Sequence, residues 1–128
     1  MYQKKPYQKP YSATNTGIYP NTEPDETSMN RFFTVLLTGD YIEIEKIMHE
    51  QKWSLFPKNS DDETALHAII KNNVLHDNQK YMLVKYCIDK TDINGHDKNN
   101  VTPLHLACAE QLPDIVRLLL EKGADINS

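Results

Sequence analysis

Two stretches of this chain echo one another, and that repetition limits the fold more than any other feature. Asp97-Lys98-Asn99-Asn100 is a turn cluster, followed by Thr102-Pro103-Leu104-His105. Thr is a good helix N-cap and Pro suits the first helical position, so a helix starts here. Leu104, Ala107 and Cys108 continue it at helical spacing. A break at Gln111-Leu112-Pro113 precedes a second apolar run, Ile115, Val116, Leu118, Leu119 and Leu120, which Gly123 ends as a left-handed residue would. The earlier copy opens at Asn59-Ser60-Asp61-Asp62-Glu63 and carries Thr64-Ala65-Leu66-His67. Each unit is a turn and two short antiparallel helices. So small a unit cannot bury its apolar face alone and must stack on neighbours.

The run Thr102-Pro103-Leu104-His105-Leu106-Ala107 fits the pattern T-P-L-H-x-A and resembles the ankyrin repeat family closely. The resemblance implies an all-α solenoid of about three helix-turn-helix repeats, at 29–58, 59–95 and 96–128. It is strong over 59–128. The first repeat is degenerate: it lacks the Thr-Pro-Leu-His run, as suits an N-terminal cap, and takes its helices from Phe32 to Leu37 and Tyr41 to Met48, with Gly39-Asp40 between them. Thr27 or Ser28 is the expected cap of its first helix. Trp53, Leu55 and Phe56 follow in the connection and are expected to fold back over the core.

Thr64 and Thr102 are 38 residues apart, against a family repeat of about 33. Matching Leu83–Ile88 to Ile115–Leu120 places the excess between Asn73 and Leu83, which predicts a longer loop projecting between the helices of the second repeat. The expected core includes Phe32, Val35, Leu36, Ile44, Ile47, Leu66, Ile69, Leu83, Val84, Cys87, Ile88, Leu104, Ala107, Cys108, Ile115, Val116 and Leu119. After the last helix no polar capping repeat follows. A fragment of a longer repeat array is the favoured reading, and an end covered by another subunit is the other.

Residues 1–28 form a separate arm with four of the seven prolines and a tandem, Lys5-Pro6-Tyr7-Gln8 and Lys9-Pro10-Tyr11-Ser12. Such a segment cannot bury a core of its own and favours extended conformations or disorder. Residues 1–22 carry three lysines and no acid, so a basic arm precedes an acidic body within a net charge of −4. Clustered Lys or Arg would be needed to grip phosphates, so nucleic acid is not an expected partner. No apolar run is long enough to span a bilayer, and cytoplasmic or nuclear residence is the expectation.

No nucleophile is paired with a base, and no glycine-rich phosphate loop is present. His76, His96, Cys87 and Cys108 lack zinc-ligand spacing, and Asp92–Asp97 fails as a calcium loop because Pro103 stands where the bidentate Glu belongs. The chain is therefore expected to be non-enzymatic, with no cofactor and no metal. The family resemblance implies protein–protein recognition across the concave face. Candidate contacts are Asp61, Asp62, Glu63, Lys71, Asn72, His96, Lys98, Asn99, Ala109 and Glu110, the first three as an acidic lip. In the arm, Tyr7, Lys9 and Tyr11 are candidate contacts for the alternative role, a structural component of a large assembly tethered by that arm. The scarcity of Arg beside Lys is compatible with a viral or effector source. The resemblance also implies that His67 and His105 tie turn to helix, that Cys108 is a buried thiol, and that Asn94 and Asn127 are candidates for hydroxylation.

Overall fold

The computed structural model describes residues 25–126. Six helices follow one another in pairs: α1 (Glu26–Thr38) with α2 (Tyr41–Glu50), α3 (Ala65–Lys71) with α4 (Asp77–Cys87), and α5 (Pro103–Ala109) with α6 (Pro113–Glu121). A 3-10 turn, Ile88–Lys90, continues from α4. The helices α1, α3 and α5 pack side by side as an inner row, while α4 and α6 pack behind them. This is the expected helical solenoid, and no strand is formed among the described residues.

The start of α1 differs from expectation. Asp25 is the cap, its Oδ1 accepting the Ser28 N–H at 2.7 Å. Neither Thr27 nor Ser28 caps, because an Asx cap lies upstream and Glu26 favours the positive end of the helix dipole. Phe32, Phe33 and Leu36 face the core. A turn at Gly39 leads to a reciprocal cap, in which Asp40 and Glu43 each accept the other's backbone N–H at 2.9 Å. A Cβ on Gly39 would stand 2.7 Å from the Val35 carbonyl oxygen, so no larger residue fits there without moving the helix end. Trp53 and Phe56 do fold back, packing on Phe32 at ring separations of 5.2 and 5.0 Å, while Leu55 points to solvent.

Helix α3 is the centre of the molecule. Ala65 to Ile70 are all buried, because α1 covers one side and α5 the other. Seven residues are too few to hold a helix in water, so its stability comes from those neighbours. Its polar ends are buried with it and need partners. At the start, the Thr64 N–H donates to His67 Nδ1 at 3.0 Å. That leaves Nε2–H to donate to the Val101 carbonyl at 2.7 Å, across to the next repeat. His67 is fully buried. At the other end Asn72, expected on the binding face, is only 1% exposed. Its Nδ2 donates to the carbonyls of Leu36 at 2.9 Å and Gly39 at 3.0 Å, in the preceding repeat. Its Oδ1 accepts from the N–H groups of Val74 and Leu75.

The predicted projecting loop is replaced by something more compact. With Leu83 matched to Ile115, α4 starts four residues earlier than α6 does, so most of the excess adds a helical turn. Lys80 in that turn is buried and its Nζ donates to the Ile70 carbonyl at 2.7 Å, closing the C-terminal end of α3. Leu75 is buried in the short remaining loop, which Asn72 pins from beneath.

Helices α5 and α6 end alike. After α6, Ala124 N–H bonds to Leu119 O at 2.9 Å and Gly123 N–H to Leu120 O at 3.1 Å, with Gly123 at φ 99°, a Schellman motif. After α5, Leu112 N–H bonds to Ala107 O and Gln111 N–H to Cys108 O, with Gln111 at φ 60°. The expected core is buried apart from Val35 and Val116, which are partly so, and Cys108, which is exposed. Cys108 faces the far side of α5, where no described element covers it.

Three outcomes follow from these contacts. Asn72→Ala strands two carbonyls and two N–H groups and should lower unfolding free energy by about 3 kcal/mol in urea titration. Asn72→Asp, which keeps the acceptor but buries a charge and sets a carboxylate oxygen against the Leu36 and Gly39 carbonyls, should lose at least as much. Gln111→Gly removes a left-handed side chain and should raise stability by about 0.5 kcal/mol in the same assay. Burial holds the His67 imidazole below its ordinary value of 6.5, against the opposing pull of the Val101 carbonyl, Asp97 and Glu63. The unfolded chain therefore takes up this proton first as pH falls through 6.5, so the His67 contribution is present above that pH and lost below it. The urea midpoint should drop between pH 7.5 and 5.5, and the drop should shrink in His67→Gln.

Candidate finger–helix groove

The turns that precede α3 and α5 share one design. Asn59 N–H bonds to Glu63 O and Asp62 N–H to Asn59 O, both at 3.0 Å; Asp97 N–H and Val101 O, and Asn100 N–H and Asp97 O, repeat this at 3.0 Å. The fourth residue of each turn is left-handed, Asp62 at φ 60° and Asn100 at φ 64°. A side chain at the first position pins the turn from inside. Asn59 Oδ1 accepts from the N–H groups of Asp61 and Glu63, and Asp97 Oδ1 from those of Asn99 and Val101. The two fingers are joined where Lys98 N–H donates to Asp61 O at 3.1 Å. Side chains on these fingers thus stand on a braced backbone, which reduces the entropy lost when they contact a partner.

Between the fingers and the inner helices lies a groove of about 320 Å³, lined by Asp61, Glu63, Lys71, Asp97, Lys98 and Asn99. Of the candidate contacts, it gathers Asp61, Glu63, Lys71, Lys98 and Asn99. Asp97 is the one lining residue not foreseen, although its place matching Asn59 at the head of a turn was visible. Asp62 is exposed on the tip, and His96, Ala109 and Glu110 are exposed outside this groove. Asn72 is withdrawn by its buried bonds. Glu63 corrects the picture of an acidic lip. It turns inward, where its carboxylate accepts from Asn59 Nδ2 at 2.9 Å and pairs with the Lys71 ammonium. Burial pushes its carboxyl up, but the bonds from Lys71 and Asn59 outweigh that and hold it below its ordinary value. Burial likewise raises Asp97, and the N–H groups of Val101 and Asn99 bring it below the usual range. Both carboxylates stay ionised at neutral pH. With Glu63 and Lys71 satisfying one another, Asp61, Asp97 and Lys98 carry the groove's remaining charge.

The remaining expectations separate in the same way. His67 ties its repeat to the next, whereas the His105 ring is exposed and reaches no carbonyl among the described residues; only its backbone N–H bonds to Thr102 Oγ1, at 3.2 Å. The Cys87 thiol is buried and pushed up to about 12, while Cys108 is open to solvent. Asn94 is half-buried and its Oδ1 accepts the Asp125 N–H at 2.8 Å, linking one finger base to the next. Asn127, Tyr7, Lys9 and Tyr11 lie outside the described residues.

The repeat geometry agrees with the comparisons. A family model for ankyrin repeats, in three copies, matches residues 34–128. Protein phosphatase 1 regulatory subunit 27 of Mus musculus and of Homo sapiens are each 34% identical over 95 residues, covering 73% of this chain. The match spans 58% of those relatives' length. A putative ankyrin repeat protein of Acanthamoeba polyphaga mimivirus is 30% identical over 103 residues, covering 73% of this chain and 5% of that protein. Among solved structures, a chain from the complex of a predatory endopeptidase of Bdellovibrio bacteriovorus with an immunity protein aligns at TM-score 0.53 and 14% identity, over 81% of this chain and 49% of that one, a likeness of fold. A family model that matches most of the chain, and relatives 34% identical over 73% of it, accord with the stacked helix pairs and paired turn fingers: this chain belongs to the ankyrin repeat family.

Proposed function

We propose that this chain is a non-catalytic recognition module that binds a protein partner in the groove between its fingers and inner helices. Ankyrin repeats are protein-interaction units, and the partner is accordingly a protein. The observation that carries the reading is the groove itself: Asp61 and Lys98 are held on turns whose backbone is braced by Asn59 and Asp97. Opposite charges fixed a short way apart favour a partner segment that presents both signs and disfavour one of a single sign. The groove offers hydrogen bonds and charge but no activated nucleophile, since the His67 Nδ1 lone pair is already spent on Thr64. Residence in the cytoplasm or nucleus accords with this role.

The test is affinity capture with quantitative mass spectrometry, comparing the chain with the double variant Asp61→Lys, Lys98→Glu. Two relatives are named as regulatory subunits of protein phosphatase 1, which makes that phosphatase the first purified protein to titrate alongside. The double variant should melt as the unaltered chain does and retain its specific partners at least about tenfold less well. Equal retention of every partner would remove the groove from the binding face.

A further inference from the structure

We propose that Asn94-Gly95 is a site of deamidation held in check by its own turn, and that the isoaspartate it yields cannot fold back into that turn. It is the one Asn-Gly pair in the sequence. Asn is among the chemically labile residues, and a following Gly has no side chain to shield the amide nitrogen between them. Packing fixes both members of the pair. The Gly95 backbone passes so close to the start of α3 that a Cβ there would stand 2.8 Å from Thr64 Cγ2 and 3.2 Å from Lys58 Cε. Thr64 cannot rotate away, because it is buried and its hydroxyl caps α3. Asn94 in turn is held by its link to the next finger base, where its Oδ1 accepts the Asp125 N–H at 2.8 Å.

The reaction begins when the Gly95 nitrogen, having lost its proton to hydroxide, attacks Asn94 Cγ. The N–Cγ bond forms, the Cγ–Nδ2 bond breaks, and Nδ2 takes a proton from water and leaves as ammonia. Water then opens the cyclic imide. Opening at the side-chain carbonyl gives aspartate; opening at the main-chain carbonyl gives isoaspartate, whose backbone runs through one extra methylene. In the folded chain the attacking group is engaged elsewhere. The Gly95 N–H donates to Asp92 O at 3.0 Å, and Asp92 Oδ1 accepts the Asn94 N–H at 3.2 Å. The attack therefore waits for the turn to open. An aspartate product can close the turn again, since a carboxylate oxygen still accepts from Asp125. Isoaspartate displaces Gly95 by one carbon where Thr64 leaves no room. Each opening of this junction thus exposes the chain to a step that reclosing does not undo.

The test is incubation of the 128-residue chain at mildly alkaline pH, with and without denaturing guanidinium chloride, followed by peptide mapping and labelling with an isoaspartate methyltransferase. Isoaspartate should accumulate at position 94 in both arms, about tenfold more slowly in the folded one. Asp92→Ala removes the bond to the Asn94 N–H and the 3.8 Å ion pair with Lys58 while leaving both reacting residues in place. It should raise the folded rate severalfold and leave the denatured rate unchanged. The purified isoaspartate form should melt below the unmodified chain, and further below it than Asn94→Asp does. Equal rates with and without denaturant, an Asn94 that stays intact in the folded chain, or an isoaspartate form that melts as the unmodified chain does would each overturn the proposal.

Discussion

Short helices with buried polar ends are the constraint that governs this molecule. Helix α3 runs for seven residues and is enclosed by α1 and α5. It gains nothing from length, and its unpaired N–H and C=O groups cannot turn to water. Each end must be met by a side chain with the right donor or acceptor in reach. Lys80 meets this need at the C-terminal end by donating to the Ile70 carbonyl, while Asn72 spends all four of its hydrogen-bonding positions on the end of α1 and on the loop that follows α3. His67 meets it at the other with both ring nitrogens. The packing of repeats and the satisfaction of backbone groups are thus one problem with one solution.

The same economy organises the recognition groove. Asn59 and Asp97 sit at equivalent positions and brace their turns with equivalent bonds. Glu63 and Lys71 neutralise one another below the fingers, fixing the floor. What remains outward is a small set of charges on a stiff frame. Binding then depends less on how many charged residues lie near the tip than on which of them the scaffold has already used.

Much of this was legible because the repeat writes its own punctuation. Thr64, Thr102, Pro103 and Gly123 each have a backbone requirement that few other residues satisfy, so helix ends could be placed from them. The residues misplaced by sequence reasoning are those whose role depends on a partner that only folding brings alongside. Asn72 looks like any polar turn residue until the carbonyls of Leu36 and Gly39 are set beside it. Glu63 looks like a third acid on a solvated tip until Lys71 is folded beneath it. Cys108 follows the family's small-residue pattern, yet burial there needs a neighbour that is not among the described residues. The longer second repeat shows the same limit: spacing counts residues, but only packing decides that Asp77 to Lys80 coil into a helix instead of hanging in a loop.

The direction of the two long ties has a mechanical meaning. Asn72 reaches back to the first helix pair and His67 reaches forward to the third, so both anchors belong to the middle. Either flank can let go without dissolving the other. Once the centre opens, both flanks lose their moorings together. Such a chain should loosen from its edges in small, reversible steps, yet come apart from within as a single event, like an arch that survives the loss of an outer stone but not of its keystone.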